Sequence, residues 1–284
     1  MSNHGEKIVN VVFDDRRTRK HYDVAWRSGI GAREYQQDHA YCTADDKNLF
    51  AVVCDGMGGM SGGAQASSIA VEAFTEYCLS TRMYSDDPGQ DADYDGIDTR
   101  VCFDSTRMRD AAEAVDDIVY SLTDPEGNRM GAGTTLLSAA IQDNWMYWLS
   151  VGDSRGYIFR GDEMVQVTSD HNYFLRLNQL LETGVISREK YEAETVKGEA
   201  LISFIGMGGL MLIDINEEAF PLQEGDTVLL CTDGMYRTLS DTAIKNIVEN
   251  SFDMEEAARR MEQIISERRY SWQDNYTFIL IKVN

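Results

Sequence analysis

Between residues 134 and 168, four apolar segments follow one another with almost nothing between them. "TTLLSAAI", "WMYWLSV", "GYIFR" and "MVQVT" are separated by gaps such as "QDN" and "GDE". A crossover between parallel strands needs about a dozen residues or more. These gaps cannot hold one, so the spacing predicts antiparallel neighbours.

Around this run the period is helical. In 64–80, Ala66, Ile69, Ala70, Ala73, Phe74, Tyr77 and Cys78 recur at the spacing of one helix face, and in 105–122 Met108, Ala111, Ala112, Val115, Ile118, Val119 and Leu122 do the same. Between them, 82–104 is acidic and poor in aliphatics, which reads as a solvated loop insertion. Helices are expected at 172–183, 188–194, 240–249 and 253–269. Ser240 is the expected N-cap of the third, and Asp253 with Glu256 forms a capping-box pattern at the fourth. "LMLIDI", "TVLLCT" and the final "YTFILIKV" read as strands. Residues 1–21 form a lead-in, and 22–284 reads as one domain. The order is strands, two helices, an antiparallel run, helices, strands, helices and a last strand. That is a layered α+β pattern rather than alternating βαβ units.

The totals exclude some functions. The chain carries a formal net charge of −22, so a phosphate backbone or an anionic membrane surface is repelled, and neither nucleic acid nor membrane is an expected partner. A phosphorylated substrate would need a locally positive site, and bound divalent cations are one way to make it. No apolar run reaches the ~18 residues of a membrane span, and the first twenty residues lack the apolar stretch of a secretory signal. The five cysteines are scattered with no Cys-x-x-Cys spacing, which fits a reducing, cytoplasmic setting and speaks against a disulfide frame or a zinc site.

Chemistry concentrates in repeated aspartates. "LFAVVCDG" runs into Asp55-Gly56, "WMYWLSVGDSRG" into Gly152-Asp153 and "DTVLLCTDG" into Asp233-Gly234, while Asp274-Asn275 immediately precedes the last strand. A single Asp-Gly pair is usually a turn. Four strand ends carrying an aspartate could instead converge at one end of packed sheets. Converging carboxylates repel one another unless protonated or bridged by cations. Hard oxygen donors without a His or Cys cluster point to Mg²⁺ or Mn²⁺. The glycines of "DGMGGMSGG" are not a P-loop, because no Gly-Lys-Ser/Thr follows them, and the Gly-x-Gly-x-x-Gly spacing is absent.

Taken in order, the motifs resemble the metal-dependent protein phosphatases of the PPM/PP2C family in its bacterial form. "GIGAREYQQDHA", "VVCDGMGG", "GAGTT", "VGDSRGY", "VTSDHN" with "LLETGVIS", "FIGMGG", "LLCTDGMYR" and "WQDNYTFILI" match across about 22–284. The resemblance implies a four-layer α-β-β-α sandwich of two antiparallel sheets flanked by helices, with metals at one end. It implies a serine/threonine protein phosphatase using two Mn²⁺ or Mg²⁺ ions, in which a hydroxide bridging them attacks phosphorus. Carried over by motif, Asp55 bridges the ions, the Gly56 carbonyl binds one, Asp233 and Asp274 hold the second, and Asp38 acts at the same cluster. Arg33 grips the phosphate, and Asp153 with Asp233 holds a third, weaker ion. Phosphorylated proteins, acted on beforehand by a Ser/Thr kinase, are the implied partners.

Two positions depart from the family pattern. Met57 stands where animal members often have a histidine proposed as general acid, so water or the leaving group's own basicity must serve. Gln36 replaces a usual asparagine beside the metal ligands, and Gln37 follows it. His39 and His171 lack metal-ligand spacing and read as structural. Two rival readings remain at this stage: a pseudophosphatase that only binds, and a hydrolase of small phosphoesters.

Overall fold

The computed structural model describes residues 21–45, 47–59, 62–80 and 103–284. Residues 1–20 of the expected lead-in and most of the acidic insertion lie outside the described residues.

Along the chain, β1 (Tyr22–Gly29), β2 (Asp38–Ala44) and β3 (Asn48–Met57) precede α1 (Gly62–Leu79) and α2 (Ser105–Tyr120). The antiparallel run follows as β4 (Gly133–Thr134), β5 (Leu136–Gln142), β6 (Trp145–Val151), β7 (Arg155–Arg160) and β8 (Glu163–Gln166). Next come α3 (Tyr173–Glu182), α4 (Arg188–Glu194), β9 (Asp214–Ile215), β10 (Phe220–Pro221) and β11 (Thr227–Cys231). The chain closes with α5 (Asp233–Tyr236), α6 (Asp241–Glu249), α7 (Met254–Arg268) and β12 (Tyr276–Val283).

The strands form two sheets, one ordered β1-β12-β11-β7-β8 and the other β10-β6-β5-β3-β2 with β4 and β9 attached. Every named strand pair is antiparallel. In the short-gap run β5 pairs with β6 and β7 with β8, whereas β6 and β7, also expected as neighbours, lie in different sheets. Three apolar clusters define four layers. Phe50, Val52, Leu136 and Leu149 on one sheet pack against Ala66, Phe74, Met108 and Val115 of α1 and α2. Leu229, Phe278 and Leu280 on the other pack against Ile244, Ile247, Ala257 and Met261 of α6 and α7. Val53, Leu137, Ile158, Leu230 and Ile279 fill the space between the sheets. Each such buried side chain contributes about 1.5–3 kcal/mol. The α+β, α-β-β-α sandwich is therefore the fold.

The helix starts follow the expected chemistry. Ser240 caps α6 by accepting from the Ala243 amide, and Asp253 caps α7 by accepting from the Glu256 amide. The Glu256 carboxylate reaches back to the Phe252 amide at 2.8 Å, one residue earlier than in a standard capping box.

Three expectations need correction. Asp104 is no part of a solvated loop: it caps α2 through the Arg107 amide, and the neighbouring Phe103 is 3 % exposed and stacks on Phe50. Ile118, expected on the buried face of α2, is 39 % exposed. "LMLIDI" is strand only at Asp214–Ile215, because the Ser203 hydroxyl takes both the amide and the carbonyl of Leu212, so those groups do not enter a ladder.

The end of β3 meets the start of α1 backbone to backbone. A Cβ on Gly56 would lie 2.2 Å from the Gly63 carbonyl oxygen and 2.6 Å from that of Gln37. Gly56→Ala is therefore expected to destabilise the protein by about 1–3 kcal/mol in urea unfolding. Gly59→Ala, where a Cβ meets open space, should stay within about 0.5 kcal/mol of the parent. Equal midpoints for the two variants would contradict this packing.

Candidate metal centre

Strand register brings the first two acids together. Asp38 opens β2 directly opposite Asp55 near the end of β3. Asp55 lies inside its strand rather than beyond it, because β3 continues to Met57 by pairing with β4. The break between β4 and β5 falls at Thr135, which serves Asp55. The Thr135 hydroxyl accepts from the Asp55 amide at 2.9 Å, and its amide donates to the Asp55 carbonyl at 2.9 Å.

The opposite sheet supplies Asp233 and Asp274, and Asp153 lies on the link that passes from one sheet to the other. Asp233 does not sit in a turn; it starts the short helix α5 directly after β11. Thr232, one residue before it, donates to the Asp38 carboxylate across the two sheets at 2.9 Å and accepts from the Thr277 amide at 2.9 Å. Asp153 follows β6 after Gly152, whose left-handed backbone and close approach to Thr135 leave no room for a Cβ. Asp274 precedes β12, and its neighbour Asn275 clamps the loop carrying Arg33. The Asn275 side chain donates to the Ile30 and Tyr35 carbonyls and accepts from the Gln37 amide.

Electrostatics show that the acids share one region. Burial pushes the Asp38 carboxyl up to about 7, helped by Asp233 and Asp274 and opposed by hydrogen bonds from Thr232 and Thr277. Asp55 is held well above the usual carboxylate range by burial and by Asp38, Asp233, Asp153 and Asp274. Asp153 rises to about 7 through burial and Asp233, with Arg237 opposing. Asp233 is also raised, by burial and by Asp274, against the pull of Arg237. All four shifts have the physical origin of like charges crowded away from water.

The donor set fits hard divalent cations. One carboxylate oxygen each on Asp38 and Asp233 is buried without a hydrogen-bond partner, and such an orphan is costly unless something cationic faces it. Among the described residues no three His, Cys, Asp or Glu side chains are grouped so that they could hold a metal ion as they stand. Arginines engage two of the acids instead: Arg33 holds Asp274 at 2.5 Å, and Arg237 holds Asp233 at 3.0 Å. The Arg33 side chain is 57 % exposed, so its remaining donors face solvent.

The other singled-out residues do supporting work. Gln36 donates to the Ser28 hydroxyl and accepts from the Asp38 amide at 3.2 Å, so the longer side chain still braces the acid's backbone. The Gln37 carbonyl accepts from the Gly56 amide and the Ser67 hydroxyl. His39 pairs with Ser67 at 2.9 Å. His171 is buried, takes the Gly152 amide on its ring, and has its pKa lowered by burial, so it stays neutral. "FIGMGG" wraps the Asp116 carboxylate of α2, which accepts from the amides of Gly206, Met207 and Gly209. Thr232, Asn275 and Arg237 were not singled out in the sequence. Their one signal is adjacency: two flank an expected ligand directly, and Arg237 lies one helical turn beyond another.

Residues 27–267 match the sequence family described as Protein phosphatase 2C. The serine/threonine phosphatase stp of Listeria innocua is 28 % identical over 239 residues, covering 84 % of this chain and 86 % of that one. The crystal structure of the Mycobacterium tuberculosis serine/threonine phosphatase PstP/Ppp shares the fold, with a TM-score of 0.68 at 24 % identity over 93 % of this chain and 99 % of that one. A structure of the PstP catalytic domain in complex with two manganese ions has a TM-score of 0.65 at 26 % identity, covering 93 % of this chain and 98 % of that one.

A pH effect follows from the raised carboxyls. A folded-state pKa above the unfolded value means that the native state binds more protons in between. The stability is thus fully present below the unfolded value of 3.8 and is lost as pH rises through about 7 for Asp38 and Asp153. With chelator present, the melting temperature should fall between pH 5 and pH 8, and Asp38→Asn should flatten the slope. A melting temperature that rises over that range, or an unchanged slope in the variant, would contradict the assignment.

Proposed function

The chain belongs to the Protein phosphatase 2C family, and from that premise we propose that it is a metal-dependent serine/threonine protein phosphatase. The observation that carries the reading is the meeting of Asp38, Asp55, Asp153, Asp233 and Asp274 from both sheets, beside the exposed guanidinium of Arg33. In this reading Asp55, Asp38, the Gly56 carbonyl, Asp233 and Asp274 would together hold two Mn²⁺ or Mg²⁺ ions. That the PstP catalytic domain is in complex with two manganese ions supports two divalent cations here. Two cations bound there would lower the pKa of a water, so that a nucleophile for the phosphorus would be available near neutral pH.

The chain's own residues do the rest. Arg33 orients the phosphoryl group, since a guanidinium can give two parallel hydrogen bonds to phosphate oxygens. Its contact with Asp274 sets where that fork points. Thr232 and Gln36 fix Asp38 from its carboxylate and its amide. Met57 closes β3 with a thioether and has no proton to give, so the leaving serine or threonine oxygen takes its proton from water. A surface of net charge −22 repels a phosphate dianion elsewhere, so productive binding is confined to the one place where cations gather.

Protein phosphate esters are the proposed substrates, in keeping with the names of the Listeria and Mycobacterium relatives. The substrates would be products of a Ser/Thr kinase in a cytoplasmic setting. No described helix is long and apolar enough to cross a membrane.

Hydrolysis of a phosphothreonine peptide with added Mn²⁺ tests the reading. Chelator should abolish turnover, and Asp55→Asn should lower kcat by at least about 100-fold with the fold retained. Arg33→Ala should lower kcat/KM by about 100-fold. Wild-type rates in Asp55→Asn, or full activity in chelator, would refute the assignment.

A further inference from the structure

Arg237 follows Asp233 by four residues, at the end of the short helix that Asp233 begins. Its guanidinium is shared among three carboxylates. Nε lies 3.0 Å from Asp233 Oδ2, Nη1 lies 2.9 Å from Glu199 Oε2, and Nη2 lies 3.8 Å from Asp153 Oδ2. Asp153 and Asp233 are the pair that the family resemblance gives to a third, weaker cation. In this chain a positive charge supplied by the protein already faces both of them.

The surroundings hold it there. Burial opposes the charge on Arg237, but Asp233, Glu199 and Asp153 more than restore it, so the guanidinium stays cationic. Tyr236, the residue before it, donates its hydroxyl to the Asp153 carbonyl at 3.0 Å. The Tyr236 ring stacks under Arg155, which is itself paired to Asp170 at 2.7 Å. The backbone of Asp153 is thus fixed from the same short helix that delivers Arg237. A divalent cation held between Asp153 and Asp233 would have to displace the guanidinium that spans their Oδ2 atoms or sit beside a like charge, whereas Asp233 Oδ1 has no hydrogen-bond partner and remains for the second ion. The carboxylates therefore do not fit a third ion as the resemblance implies.

We propose that Arg237 is a built-in cation standing in for the third metal ion, so that the chain binds two ions rather than three. The same side chain ties the Glu199 segment, which follows α4, to the acid centre. The inference rests on the reading above that Asp55 and its neighbours hold two ions.

Calorimetric titration of Mn²⁺ into the full chain, at one pH, tests it. The wild type and Arg237→Lys should bind two ions. Arg237→Met should gain a third, bound at least about tenfold more tightly than any further ion in the wild type. Adding Asp153→Asn to Arg237→Met should remove that third ion and leave the two strong sites. Circular dichroism checks folding, and Arg237→Gln, which keeps a polar side chain, should show the same gain. Three ions in the wild type, or no gained ion in either neutral variant, would overturn the proposal. Loss of the two strong sites in Asp55→Asn, with the Arg237 series behaving as stated, is the pattern in which both readings hold. A wild type with no strong site would remove both.

Discussion

The structure turns on mutual repulsion. Five carboxylates from two different sheets are brought to one end of the sandwich, and four of them are held away from their ordinary ionisation by burial and by one another. A fold that only needed stability would place apolar or hydrogen-bonded residues there, because an uncompensated buried charge is among the most destabilising features a protein can carry. The arrangement makes physical sense once divalent cations are supplied, since they convert the repulsion into the binding energy of the site.

Holding the acids in that strained grouping requires a rigid frame, and both sheets provide it. The Asp38–Asp55 register lies in one sheet, while Thr232 reaches from the other to the Asp38 carboxylate. Three apolar layers keep the sheets from shifting against each other. Asn275 pins the Arg33 loop with three hydrogen bonds. The Arg33 side chain, proposed to grip phosphate, is therefore placed by the same corner that carries Asp274. Two arginines, Arg33 and Arg237, pair with acids of the centre. Arg33 is more than half exposed, whereas the Arg237 side chain is shared by three carboxylates and is 35 % exposed. That contrast separates a group free to meet a ligand from one committed to the protein.

Much of this was legible in the residues. Short gaps in 134–168 foretold the antiparallel pairs β5–β6 and β7–β8 but not that β6 and β7 part into different sheets, and the apolar faces of 64–80 and 253–269 marked helices that cover the sheets. The four aspartates at strand boundaries were visible because strand and turn signals are local. What escaped was non-local. The carboxylate of Asp116 organises a glycine loop some ninety residues away. Ser203 diverts an apolar segment out of a strand by taking the backbone groups of Leu212. Phe103 returns the chain to the core after a stretch whose composition reads as solvent-facing. Each depends on a partner that periodicity in one window does not reveal. Arg237 escaped for a related reason: one turn after an aspartate it reads as an ordinary helix pair, and only the fold adds Asp153 and Glu199.

The most direct test of the central claim is the position of bound metal. Crystals soaked in manganese and measured at its absorption edge should show anomalous density beside the Asp55 carboxylate. One peak should be shared with Asp38 and the Gly56 carbonyl, and another with Asp233 and Asp274. Density away from these groups, or none at saturating manganese, would contradict the account.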